Sequence, residues 1–124
     1  MNSLNIAPIV TYPKTAKLGL SYIVEIDIAP FNPKDWTYEE EEYPIYCLMD
    51  SDLFDCKPVS EPTIVLHRFG GTYGAIKFHC KVMEIGDADL KITLINRYGV
   101  PFHQVKLNCS IADVDSIGVQ GNSL

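Results

Sequence analysis

The sequence predicts an all-β fold, an immunoglobulin-like antiparallel β-sandwich of about seven strands. Three observations carry this. First, apolar and polar residues alternate with period two, most cleanly over 76–82, where Ile76, Phe78, Cys80 and Val82 share one face and Lys77, His79 and Lys81 the other. Second, late in the chain, turn signals recur at the spacing of about 8–12 residues expected of a sandwich. Third, no stretch carries the 3.6-residue apolar period of an amphipathic helix. Two sheets that bury one face each and leave the other wet account for all three.

Taken in order, residues 1–5 are polar and are expected to fray. Residues 6–12 read as an edge strand, because Pro8 and the following Pro13 suit an edge and not a sheet centre. The second strand is 18–28, with Tyr22, Val24, Ile26 and Ile28 on one face and Glu25 and Asp27 on the other; Pro30 and Pro33 end it. The segment 31–42, FNPKDWTYEEEE, reads as a long loop. The third strand is 43–50, with Ile45, Cys47 and Met49 facing one way. Residues 51–62 read as irregular, with Leu53 and Phe54 as an apolar plug and Pro58 and Pro62 excluding a long helix.

Two apolar runs, 63–69 and 75–83, flank the glycine-rich GGTYG and read as a β-hairpin, the fourth and fifth strands. In that pairing His67 and His79 project from one outer face, beside Lys77 and Lys81, whose charges oppose a metal ion there. Residues 85–89 read as a turn driven by Gly86 and Asp87. The sixth strand is 90–97 and the seventh 102–111, joined by the turn NRYGVP, where Gly99 can take a positive φ. Residues 1–112 form one sandwich domain in this reading, and 113–124 a flexible tail.

Charge and motifs narrow the function classes. The net charge is −6, and without Glu39, Glu40, Glu41 and Glu42 it is −2. The ten basic residues are scattered, which disfavours nucleic-acid backbone binding. No run approaches the roughly 18 apolar residues of a membrane span. The start of the sequence lacks a basic and then apolar leader pattern, so a cytoplasmic location is expected. Cys47, Cys56, Cys80 and Cys109 are spaced by 9, 24 and 29 residues, which matches no metal or redox motif. Free thiols packed as small apolar groups are the expectation.

No enzyme is expected. No G-x-S-x-G elbow occurs, GGTYG lacks the following helix of a phosphate cradle, and Cys80 faces away from His79. The expected work is contact. Trp36, Tyr38, Tyr43, Phe54, Phe69, Tyr73 and Tyr98 fall in or beside loops. Trp36 and Tyr38, with Glu39, Glu40, Glu41 and Glu42, are the leading partner-binding residues, joined by Phe69 and Tyr73 at the glycine-rich tip. Aromatics ringed by glutamates suit a protein partner with a basic surface, and a free strand edge offers self-association or β-augmentation. The alternative is a rim site for calcium or a small polar ligand on Asp50, Asp52 and Asp55. No cofactor is expected.

The stretches EEYPIYCLMD, KPVSEPTIVLHRFGGTYGAIKF and LKITLINRYGVPFHQVKL resemble a small Ig-like β-sandwich module of bacterial multidomain signalling and defence-type proteins. That resemblance implies an accessory or adaptor role, with no catalytic residues to carry over. The sequence shows no effector pattern beside the module, as expected of a separately encoded subunit or of a piece of a longer protein.

Overall fold

A computed structural model describes residues 4–113. It contains ten strands: β1 (Pro8–Thr11), β2 (Thr15–Lys17), β3 (Ser21–Ile28), β4 (Glu42–Ser51), β5 (Phe54–Pro58), β6 (Thr63–His67), β7 (Gly71–Thr72), β8 (Ile76–Val82), β9 (Gly86–Ile95) and β10 (Pro101–Ala112). They form a four-stranded sheet, β1-β3-β8-β5, and a six-stranded sheet, β2-β10-β9-β4-β6-β7. The pairings are antiparallel except for β2 on β10. No helix among the described residues is long and apolar enough to cross a membrane. The tail expected over 113–124 lies outside the described residues apart from Asp113.

The alternation does what it promises. Val24, Ile26 and Ile28 of β3 and Ile76, Phe78, Cys80 and Val82 of β8 are buried from one sheet. Tyr43, Ile45 and Cys47 of β4, Ile64 and Leu66 of β6, and Ala88, Leu90, Ile92 and Leu94 of β9 meet them from the other. No polar or charged residue among the described ones is fully buried. Cys47, Cys80 and Cys109 are buried free thiols, as expected of small apolar groups. Phe54 is also core, at 6% exposure, and so leaves the set of surface aromatics.

The seven anticipated strands are all present, but three expectations about them fail. The largest concerns the hairpin. β6 pairs with β4, whereas β8 pairs with β3 and β5 in the opposite sheet. GGTYG therefore bridges two sheets, and His67 and His79 do not share a face. β6 does turn back on itself, but only onto the two residues of β7. Second, β5 lies inside the segment read as irregular. Its four-residue alternation, Phe54 in and Asp55 out, Cys56 in and Lys57 out, is short and is cut by Pro58. Third, residues 86–89 are paired with β10 from Gly86 onward, so the turn is shorter and earlier.

Pro58 and Pro8 sit where the missing N–H costs nothing. The bonds Val59 N to Lys77 O (3.0 Å) and Met83 N to Leu53 O (2.9 Å) fix the odd residues of β5 as the hydrogen-bonded ones. Pro58 then turns its nitrogen to the open edge. Pro8 does the same on β1, since Ala29 N to Ala7 O (2.8 Å) sets that register. Both edges of the four-stranded sheet thus carry a residue that discourages strand addition.

Gly70 joins the glycine-rich crossing to the 31–42 loop. Its φ is +101°, and a Cβ there would run into the carbonyl oxygen of Phe31. Gly74 also has positive φ, at +129°, but faces open space. Urea unfolding is expected to show Gly74→Ala costing about 1–3 kcal/mol through backbone strain alone, and Gly70→Ala costing more. Equal losses would show that the close approach to Phe31 contributes nothing.

Candidate contact site

The 31–42 loop is built from local rules. Asn32 caps a short 3-10 turn, Pro33–Asp35, by accepting from Lys34 N at 3.0 Å. Phe31 N donates to Gly70 O at 2.9 Å, which ties the loop to the glycine-rich crossing. Trp36 Nε1 donates to Glu40 O at 3.0 Å and closes the loop on itself.

Within this frame the aromatic rings form a row. Phe31 stacks on Trp36 (centroids 6.0 Å apart), Trp36 meets Tyr38 edge-on (5.0 Å), and Tyr38 stacks on Tyr43 (4.0 Å). The Arg97 guanidinium lies over the Tyr43 ring at 4.8 Å. Tyr43 is buried at the end of β4, so the row begins in the core and ends at the surface. Trp36 and Tyr38 are half-buried and spend ring faces on their neighbours.

The turn between β9 and β10 faces the row. Asn96 Oδ1 accepts from Tyr98 N and Val100 N, both at 3.0 Å, and Gly99 takes a φ of +79°. This holds Tyr98 out, 78% exposed. Between the turn and the row lies a cleft of about 620 Å³, lined by Leu4, Tyr38, Glu40, Arg97, Tyr98 and Phe102 among others.

The glutamates divide. Glu40 is bonded to Arg97, and Glu41 to Arg68 at 2.7 Å. Glu42 stands by the Tyr73 hydroxyl, whose pKa it raises. Glu39 makes no ion pair among the described residues. The Arg97 hydrogen bond holds the Glu40 carboxyl below its usual range, and the same bond raises the guanidinium. Burial, then the neighbouring Tyr43, pushes the Tyr38 phenol up. The Tyr73 phenol is raised first by Glu42 beside it.

Phe69 and Tyr73 complete the surface. They are 71% and 68% exposed and lie 6.3 Å and 5.2 Å from the His67 ring. Arg68 lies over Phe69 at 5.3 Å. Through Gly70 and the Arg68–Glu41 bond these residues join the aromatic row, so all eight expected contact residues lie at one end of the sandwich. Asn96, Arg97 and Phe102 also lie there, and no sequence signal marked these three as contact residues. The NRYG turn was visible in the sequence, but only the fold sets it beside the 31–42 loop.

The aspartates expected as an alternative site do not converge. Asp50 and Asp52 line a small recess with Asp89, Lys91 and Lys106. Asp52 Oδ1 there accepts from Asp89 N (3.1 Å) and sits 3.5 Å from Ser51 Oγ. Asp55 is absent from that lining; it pairs across the strand with Lys81 and lies 3.9 Å from Lys57. Among the described residues no group of three or more His, Cys, Asp or Glu is arranged to hold a metal.

No protein-family profile and no curated protein sequence matches the chain. Its fold matches solved structures. A conjugative transposon lipoprotein of Bacteroides eggerthii superimposes with a TM-score of 0.52 at 8% identity, over 86% of this chain and 98% of that one. The SrpA adhesin of Streptococcus sanguinis gives 0.52 at 9% identity, over 91% of this chain but 61% of the adhesin chain. A cohesin module of a Clostridium perfringens family 33 glycoside hydrolase gives 0.47 at 12% identity, over 90% and 99%. At such identities the likeness is one of fold. The protein is an all-β, immunoglobulin-like sandwich.

Two measurements check the site. Millimolar Ca²⁺ is expected to leave the melting temperature unchanged relative to EDTA, since ligand bound only to the native state raises it. The pH dependence of stability tests the Glu40–Arg97 bond. A carboxyl whose pKa is lowered on folding stabilises the protein above its unfolded value, and that contribution is lost as pH falls through the folded value. Glu40→Gln should therefore be less stable than wild type near neutrality, with the gap closing below about pH 4.

Proposed function

We propose that the protein is a non-catalytic protein-interaction module whose contact surface is the end of the sandwich described above. The observation that carries this is the continuous aromatic row from Phe31 to Tyr43, covered by Arg97 and opening into the cleft. Tyr, Trp and Arg held in fixed geometry are the usual anchors of contact surfaces. The row costs little entropy on binding, because its rings already constrain one another. The ion pair at its rim suits positioning, since a carboxyl held low by an arginine is a poor proton donor near neutral pH.

The free edge of β10 extends the surface. β2 covers β10 only at Ser110, Ile111 and Ala112, and no other described strand pairs with that side. Phe102 lies on the uncovered part and also lines the cleft. An extended partner segment adding to this edge would deliver a side chain into the cleft. The same edge serves self-association. Four glutamates against Arg68 and Arg97 leave a surplus of two negative charges, which favours a partner with a basic surface. One fold relative, SrpA, is an adhesin, a protein that also works by contact. The resemblance to accessory modules of bacterial signalling and defence proteins supports a role in such a system, and a cytoplasmic location is part of the proposal.

The test is retention of a partner by the immobilised protein. Tyr98→Ala and Phe69→Ala, both exposed and at opposite ends of the surface, are expected to lower retention about ten-fold or more, equivalent to about 1.4 kcal/mol. Ile23→Ser, on the outer face of the other sheet, is expected to leave it unchanged. Equal recovery by all three would remove this end of the molecule from the contact.

A further inference from the structure

Two of the four cysteines are strand neighbours. Cys56 of β5 lies directly opposite Cys80 of β8. The main-chain bonds Val59 N to Lys77 O and Met83 N to Leu53 O place this pair at a non-hydrogen-bonded position, between the bonded pairs. At such positions opposed Cα atoms approach to about 4.5 Å and their side chains leave the same face together. That separation falls within the range of about 4.4–6.8 Å that a disulfide spans. The two thiols are close enough to move each other's pKa in opposite directions, Cys56 down and Cys80 up.

Their surroundings differ. Cys80 is fully buried, and its far side is closed by Met49 of the opposite sheet, whose Sδ is 3.6 Å from the Cys80 Sγ. Cys56 is half-buried on an edge strand. A reagent from solution therefore meets Cys56 first. The neighbouring Cys80 thiol lowers the Cys56 pKa; burial and the carboxylates of Asp50 and Asp55 oppose this. Cys47 and Cys109 are both buried, and burial pushes the Cys47 thiol up to about 12.

We propose that Cys56 and Cys80 form a reversible dithiol site, in which Cys56 attacks a small-molecule disulfide and Cys80 resolves the product into a cross-strand disulfide. The Cys56 thiolate attacks one sulfur of the reagent; a mixed disulfide forms and one reagent thiol leaves. Cys80 then attacks the Cys56 sulfur, its proton passing to the second departing reagent thiolate. Two protein thiols are oxidised by two electrons, and one small disulfide is reduced to two thiols. The bond ties edge strand β5 to β8 and closes a covalent loop over 56–80. That loop contains β6, β7 and the tip that carries Phe69 and Tyr73.

The experiment exposes the reduced, folded, full-length chain to oxidised glutathione and then counts thiols after denaturation. Wild type is expected to fall from four thiols to two, with peptide mapping joining the Cys56 and Cys80 peptides within one chain. Cys80→Ser is expected to hold glutathione on Cys56, and Cys56→Ser to keep all three of its remaining thiols. Wild type that retains four thiols, keeps glutathione on Cys56 unresolved, or links Cys47 or Cys109 instead overturns the proposal. The wild-type map stands even if Cys80→Ser fails to fold.

Discussion

Burial of the two inner sheet faces against each other is the constraint on which the rest depends. All but two of the connections between successive strands cross from one sheet to the other; only β6–β7 and β9–β10 stay within one. The chain therefore has few local hairpins to hold it. Its strands find their neighbours across long stretches of sequence, and what selects them is the apolar surface that the opposite sheet covers. The core between β3 and β8 on one side and β4, β6 and β9 on the other is correspondingly dry, with Val24, Ile26, Ile64, Leu66, Leu90, Ile92 and Leu94 fully enclosed.

The proposed contact surface is a by-product of that crossing. The 31–42 loop leaves β3 in one sheet to reach β4 in the other, and the glycine-rich segment leaves β7 to reach β8. Both crossings occur at the same end, which is why Phe31 and Gly70 meet by a main-chain bond. Tyr43 links this end to the core. Its buried ring is stacked by Tyr38 on one side and approached by Arg97, so the surface row is anchored to the part of the molecule least able to move. The acidic run has a double role. Glu40 and Glu41 brace loop to turn and loop to crossing, and Glu39 is left facing water.

Much of the fold was legible in the sequence and much of the site was not. The alternation in 76–82 named the buried face of β8 correctly, and Ile45 and Cys47 did so for β4. The turn built by Asn96 and Gly99 was equally plain. What failed was partner choice. A glycine-rich loop between two apolar runs looks the same whether the runs pair with each other or with strands of opposite sheets. β5 was hidden because an edge strand needs only a few alternating residues and tolerates Pro58. For the site, Trp36, Tyr38, Phe69 and Tyr73 stood out by residue type. Arg97 and Phe102 did not, because their role is set by what lies opposite them.

The sequence by itself determined which side of each main strand is apolar, the reversal between Asn96 and Gly99, and that four cysteines match no metal motif. These are local properties, set by neighbouring residues and by the two-residue period of an extended backbone. The tertiary structure alone decided to which sheet each strand belongs, that the acidic aromatic loop, the glycine-rich tip and the NRYG turn form one surface, and that Cys56 stands opposite Cys80. Those are pairings between segments far apart in the chain. They follow from burying all the apolar faces at once, a condition that no short stretch of residues records.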